Sequence, residues 1–198
     1  MADDVEQVHL TTRAEWRAWL AEHHAGSRGV HLVSWRTPTG RPAVSYEDAV
    51  CEALCFGWVD SVARRLDEER TMLYFSPRKP RSGWARTNKA RVERLRTQGR
   101  MAPAGEAAIA AAVANGAWPL LDDVEELREP DDLRAALDAR PTAGDQWRGF
   151  PPSARRGMLE WLVQARTAGT RARRVEEIPS RPAEGVRAYP RPRSASTG

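Results

Sequence analysis

The sequence predicts an α+β fold: a small, mainly antiparallel sheet packed with helices, followed by a C-terminal all-helical module. Three observations carry this. Capped stretches of helical period alternate with short β-type runs through the first 120 or so residues. Beyond that point only the helical period recurs. With 41% hydrophobic and 29% charged residues in 198, the chain has the composition of a globular protein and enough length for one ordinary domain or two small ones.

Thr12 and Glu15 stand at capping-box spacing, and Trp16, Trp19, Leu20 and His23 follow at i, i+3, i+4 and i+7, which predicts an amphipathic helix ending near Gly26. Val30 to Trp35 reads as a strand and Thr37–Pro42 as a turn. Ser45 and Asp48 cap a second helix with Val50, Leu54 and Trp58 on one stripe. Val59–Leu66 and Thr71–Phe75 flank the polar Asp67–Arg70 and predict a β-hairpin. Ser82 is a candidate N-cap for a basic helix presenting Trp84, Asn88, Val92 and Leu95 and stopping near Gly99. Pro103 suits the first turn of an alanine-rich helix that ends at Asn115-Gly116. The acidic LLDDVEEL forms a joint, after which helices are expected near 130–139 and 152–167, with a short turn around Trp147 and Phe150 between them. A last arginine-rich helix near 171–178 is expected to stop at Pro179, and a Pro/Arg/Ser-rich tail to be flexible. This divides the chain into an α+β domain over 1–120, a helical module over 121–178 and a tail over 179–198.

No apolar run approaches the roughly 18 residues of a membrane span, and the N-terminus lacks the zones of a signal peptide, so a cytoplasmic protein is expected. Cys51 and Cys55 are too few for a disulfide framework and sit one helical turn apart, about 6 Å with near-parallel Cβ directions, so reduced and buried thiols are expected. The net charge of +4 is weak ground for a nucleic-acid partner: Lys79 and Lys89 are the only lysines, and the Arg- and Ala-rich composition matches a GC-rich coding sequence. Charge is also blocked along the chain. Residues 78–100 carry 9 positive and 1 negative group, and residues 101–147 carry 3 and 10. Blocks of opposite sign are expected to face each other within a fold before they grip a polyanion.

The four histidines all lie in the first 31 residues, outside any metal-ligand spacing, so neither a metal nor a cofactor is expected. The P-loop, Rossmann and nucleophile-elbow signatures are missing from the chain. Two stretches are dense in chemistry. Ala53–Ser61 carries a helix into a strand through Gly57 and brings Cys55, Phe56, Trp58 and Asp60 close in sequence. Here Asp60 can serve as an acid, a base or a cation anchor, whereas Cys55 near a helix C-terminus is in the wrong field for a thiolate and reads as packing. Tyr74–Asn88 sets Arg78, Arg81, Trp84 and Asn88 at a loop and helix start, a cradle for a phosphate or carboxylate. The ligand-binding candidates are therefore Phe56, Trp58, Asp60, Arg78, Arg81, Trp84 and Asn88.

At these stretches the chain resembles the YdeI/OmpD-associated (bacteriocin-protection) family. The resemblance rests on ALCFGWVD at 53–60, FSPRKPRSGWARTN at 75–88, GRMAPAG at 99–105 and PPSARRGMLEWLVQARTAGTRARR at 151–174, and spans about residues 12–178. It implies a cytoplasmic bacterial protein with an α+β N-terminal part and an OmpD-associated-type helical module, linked to resistance against antimicrobial peptides, with no established reaction. Members end in a longer amphipathic helix, which Pro179 and Pro182 are expected to interrupt here.

Three functions stand side by side. One is a stress- or antimicrobial-resistance-associated protein that binds a small anionic ligand or a cationic peptide without turnover. The second is an enzyme with a small-molecule pocket at residues 55–88. The third, which composition argues against, is nucleic-acid binding through the basic helix 78–100.

Overall fold

The computed structural model describes residues 5–183. They divide between a unit that ends at Trp118 and a unit that begins at Pro119.

The N-terminal unit is built on a mostly antiparallel sheet. Its strands are β1 (Gln7–His9), β2 (Val30–Trp35), β3 (Trp58–Asp60), β4 (Arg64–Arg65) and β5 (Arg70–Pro77). The order is β1-β2-β5-β3, with β4 also on β5, and β1 pairs with β2 in parallel. The helices are α1 (Arg13–His23), α2 (Tyr46–Cys55), α3 (Arg86–Thr97) and α4 (Pro103–Ala114).

Most boundaries follow local chemistry. α1 opens with the expected capping box: the Thr12 side chain accepts from Glu15 N while the Glu15 carboxylate accepts from Thr12 N. Ser45 Oγ accepts from Asp48 N at the start of α2. Pro103 stands in the first turn of α4. The hairpin forms, with its first strand split into β3 and β4.

One strand is unforeseen in the sequence and two expectations are corrected: Trp58, expected on the α2 stripe, lies in β3 beyond the helix end at Cys55, and the expected Ser82 cap does not form. β1 carries no signal the sequence could show, since three residues are too few for a period. Ser82 does not cap α3: Ser82 N is held in a turn by Lys79 O at 3.0 Å, the chain stays extended at Ala85, and the helix starts at Arg86 with no side-chain cap. Trp84 therefore precedes the helix instead of lying on its face.

Alternation assigns one sheet face to the core. Val30, Leu32 and Ser34 stand opposite Phe75, Leu73 and Thr71 in register. Val30, Leu32 and Phe75 join Trp16 and Leu20 of α1, Leu54 of α2, Trp58, Trp84, and Val92 and Leu95 of α3 in one buried cluster. Burying side chains of this size contributes roughly 1.5–3 kcal/mol each. Two glycines let α4 meet the end of α2. Gly57 has φ +74°, and a Cβ there would lie 2.9 Å from Ala108 Cβ. A Cβ on Gly105 would lie 2.3 Å from the Cys55 carbonyl oxygen. Gly57 of ALCFGWVD and Gly105 of GRMAPAG thus sit where the end of α2 and the start of α4 pack on each other.

The C-terminal unit is helical over its described residues: α5 (Asp122–Glu125), α6 (Asp131–Asp138), α7 (Pro141–Gly149), α8 (Pro152–Val163) and α9 (Ala168–Ala183). Leu133, Leu137, Trp147, Met158, Leu159, Leu162, Val175 and Ile178 form its core. The turn expected around Trp147 is a nine-residue helix: Pro141 starts it, and burial of Ala143, Gly144 and Trp147 holds it despite a weak helix-forming sequence. Nor does the last helix stop at Pro179. α9 runs to Ala183, because Val175 and fully buried Ile178 dock it up to Pro179, and the two hydrogen bonds that Pro179 and Pro182 cannot donate lie near its end. The tail expected over 179–198 is helical through Ala183, and its remainder lies outside the described residues.

Charge pairs form within each unit. Arg91 and Arg94 of α3 meet Glu47 of α2, and Arg96 meets Glu106 of α4. In the C-terminal unit Arg171 makes a two-pronged contact with Asp132, and Arg140 meets Glu176.

Candidate functional site

The core-facing side of the sheet is longer than the helices that cover it. α2 begins at Tyr46, and Ser34 and Thr71 lie one step beyond the Leu32–Leu73 pair, of which Leu32 is buried and Leu73 partly so. The chain from Arg36 to Ser45 arches over this end. A single 3₁₀ turn (Thr37–Thr39) closed by Gly40 at φ 66° bends it, with Thr39 Oγ1 donating to Arg36 O at 2.8 Å. The arch is tied to the hairpin tip: Arg36 N donates to Glu69 O, Arg36 Nη1 to Glu68 O, and Arg41 Nη1 pairs with Glu69 at 3.2 Å.

Beneath the arch lies a cavity of about 720 Å³. Leu32, Leu73, Val44, Ala49 and Ala63 give it apolar surface, and Ser34, Thr71, Thr37, Ser45 and Tyr46 bring hydroxyls. Arg36, Arg41 and Trp35 line it as well, the Arg41 guanidinium lying 4.3 Å from the Trp35 ring centre. Its volume lies within the roughly 300–1,000 Å³ of small-molecule sites, which likewise combine apolar walls with a few convergent polar groups.

Tyr46 joins this cavity to the two stretches singled out in the sequence. Its hydroxyl donates to Asp60 Oδ2 at 2.9 Å; partial burial, then that bond to a carboxylate, raises the phenol's pKa. The two stretches do meet: β3 and β5 pair with Trp58 opposite Pro77 and Asp60 opposite Phe75, and Arg78 N donates to Gly57 O at 3.0 Å. Their aromatic residues, however, are packing. Trp58 is 1% exposed, with Nε1 donating to His24 O at 3.3 Å, and Phe56 packs on the His24 ring. Trp84 is buried against Trp118. None of Phe56, Trp58 or Trp84 lines the cavity. Arg81 is exposed, and the Asn88 side-chain oxygen accepts from Arg91 at 2.9 Å.

Arg78 is the exceptional member. Its guanidinium lies 4.0 Å from the centre of the Trp84 ring, and Nη2 donates to Gly83 O. Nε and Nη1 are buried without a hydrogen-bond partner. Burial pulls its pKa down to about 10, with Asp60 acting the other way through space. Withdrawing an ion from water costs on the order of several kcal/mol unless a partner compensates. A cation–π contact returns about 2 kcal/mol when desolvated.

Both cysteines are free and buried. Burial pushes both thiols up, which opposes thiolate chemistry. Among the described residues, no three His, Cys, Asp or Glu side chains gather as metal ligands would.

Most of the N-terminal unit, with sheet, arch and Arg78 loop, falls within one family match. The chain belongs to the family described as Domain of unknown function (DUF8412), whose model matches residues 8–108. Residues 126–185 match a second family model, Bacteriocin-protection, YdeI or OmpD-Associated. No curated protein and no solved structure matches the chain. The YdeI/OmpD-associated match is shorter than the resemblance, which ran from about residue 12 to 178. It holds the 151–174 segment, now the α8 and α9 region, while ALCFGWVD, FSPRKPRSGWARTN and GRMAPAG all fall within the DUF8412 region. The residues that line the cavity likewise lie within the DUF8412 match. The cavity's only traces in the sequence are the polar Ser34 and Thr71 ending apolar strands and the arginines around TPTG.

Proposed function

We propose that this is a non-catalytic ligand-binding protein of bacterial stress or antimicrobial-peptide protection. Its N-terminal unit takes up a small molecule with an apolar body and an anionic end. The cavity under the 36–45 arch carries this reading. Leu32, Leu73 and Val44 suit the apolar body, the hydroxyls of Ser34 and Thr71 fix orientation, and Arg36 and Arg41 supply positive charge for the anionic end. Raised thiol pKa values and the commitment of Tyr46 to Asp60 favour binding over nucleophilic chemistry. The protective role draws on the description of the family matched by residues 126–185. A reducing, cytoplasmic setting fits the two free thiols.

A thermal-shift screen of the full chain against aromatic and aliphatic carboxylates, phosphate esters, neutral analogues and cationic peptides tests this. A ligand at a hundredfold excess over its dissociation constant adds about 2.7 kcal/mol to stability and raises the melting temperature. The expected hit is an anionic amphiphile whose shift disappears in Ser34→Leu, which replaces a cavity hydroxyl with a bulkier apolar side chain, and weakens in Arg41→Ala. A shift that survives Ser34→Leu places the ligand elsewhere. A hit among cationic peptides alone would overturn the charge assignment.

A further inference from the structure

We infer that Arg78 and Ser82 form a second binding site, separate from the cavity, for an oxyanion: a carboxylate or a phosphate group. Neither residue lines the cavity, so the inference goes beyond the reading above.

The observation is a set of buried donors without acceptors. Of the three guanidinium nitrogens of Arg78, Nη2 donates to Gly83 O, while Nε and Nη1 are buried and unpartnered. In the same loop, Ser82 Oγ is buried and unpartnered. Buried polar groups are hydrogen-bonded as a rule, so three orphans within five residues of one loop mark a place that calls for an acceptor. The positive charge makes that acceptor an anion. Asp60 does not fill the role, because its Oδ2 is engaged by Tyr46 and it influences Arg78 only through space.

The loop is held as a binding loop should be. Arg78 N is fixed to Gly57 O at 3.0 Å, Ser82 N to Lys79 O at 3.0 Å, and the Asn115 side-chain amide donates to Pro80 O at 2.9 Å. The guanidinium plane rests on Trp84, itself packed on Trp118 at 5.0 Å between ring centres. The donors are thus preorganised, and the ordering cost of binding is already met by the fold. Exposed Arg81, in the same loop, adds attraction at longer range. An anion with several acceptor oxygens suits three donor atoms on two side chains, and both carboxylate and phosphate qualify.

The test uses the full chain, with melting temperature and calorimetric titration measured in sodium phosphate, sodium benzoate and sodium chloride at matched ionic strength. Saturable stabilisation by phosphate, by benzoate or by both, without the same effect from chloride, is expected, and the arm that responds identifies the source. Binding should weaken at least tenfold in Ser82→Ala, since a hydrogen bond to a charged group is lost, and vanish in Arg78→Gln. An equal response to chloride, or an unchanged affinity in Arg78→Gln, would falsify the site. If Arg78→Gln does not fold, Ser82→Ala and Arg78→Lys decide: wild-type affinity in both overturns the proposal. Ser34→Leu separates the two sites. It must leave the anion response intact; if it removes the response, the anion belongs to the cavity and this second site does not exist.

Discussion

The two units solve the problem of holding helices together in opposite ways. In the C-terminal unit the core is aliphatic around Trp147, and polar groups work at its edges: Trp147 Nε1 reaches Glu129 at 2.6 Å, and Arg171 and Arg140 bind carboxylates that remain solvated. The N-terminal unit instead draws a charge inside. Glu52 of α2 is 0% exposed and is the buried charged residue among the described residues. It accepts from Arg13 at 2.5 Å and from Arg17 at 2.6 Å, both on α1, and from Arg100 in the α3–α4 connection. Desolvation works against its ionised form, and the three arginines override it, holding the carboxyl below its ordinary range. A buried charge of this kind adds little net stability over an apolar replacement, but its partners become costly once it is removed. The lesson is that the unit bearing both candidate sites is also the one whose helices are fixed in direction by a buried charge. The unit without such a hub relies on its apolar core with charge pairs at the edge.

The sharpest way to break this contrast is Glu52→Ala. Three arginines lose Glu52, while Arg13 keeps a second carboxylate in Asp48, and a loss of about 3–5 kcal/mol is expected. Hydrogen exchange followed by mass spectrometry should show protection falling first over residues 13–117. A variant within 1 kcal/mol or so of wild type would mean that the arginines simply swing into water. The counterpart in the other unit is Leu159→Ala, a cavity mutation expected to cost about 3 kcal/mol with protection falling over residues 131–178. Next comes Gly105→Ala, which drives a methyl group into the Cys55 carbonyl and should cost about 1–3 kcal/mol by denaturant midpoint. No loss would show that α4 can slide away from α2.

The smallest effect concerns acid. Arg91 and then Arg94 pull the Glu47 carboxyl down from 4.5 to about 2. Because the folded value is the lower one, this contribution is complete above pH 4.5 and disappears as the pH falls towards 2. Glu47 is about half exposed, so screening leaves about 1 kcal/mol or less. Glu47→Gln should flatten the stability profile across that window, measured by urea unfolding at each pH. A profile unchanged by the substitution would show that Glu47 does not carry the acid sensitivity.

Where structure depends on neighbours in sequence, it was legible. The Thr12–Glu15 capping box, the Ser45 cap, Pro103 in a first turn and the alternation of β5 are all decided within a few residues. Where packing at a distance decides, the reading failed. Ile178 carries α9 past Pro179, and burial of Trp147 makes a helix from a segment containing Gly144. The candidate site divides along the same line. Of the polar candidates, Asp60 accepts from Tyr46 and Arg78 keeps two buried donors without a partner. Phe56, Trp58 and Trp84 turned out to be core, because an aromatic residue has the same appearance in sequence whether it lines a pocket or fills one. The cavity is assembled by the register of β2 on β5 and by an arch anchored to a distant hairpin, neither of which any local pattern encodes.

The reach of Glu52 along the chain also orders events in time. Its partners stand 39, 35 and 48 residues away, and Arg17 Nη2 additionally closes on Arg100 O across 83 residues at 2.9 Å. During synthesis α1 and α2 emerge first and can collapse, but Glu52 then holds two of its three arginines and the Arg100 carbonyl has no partner. Closing so long a span is slow relative to local helix formation. The N-terminal unit should therefore gain its full cooperativity only after residue 100 has left the ribosome, and nascent chains stalled short of that point are its natural targets for proteolysis.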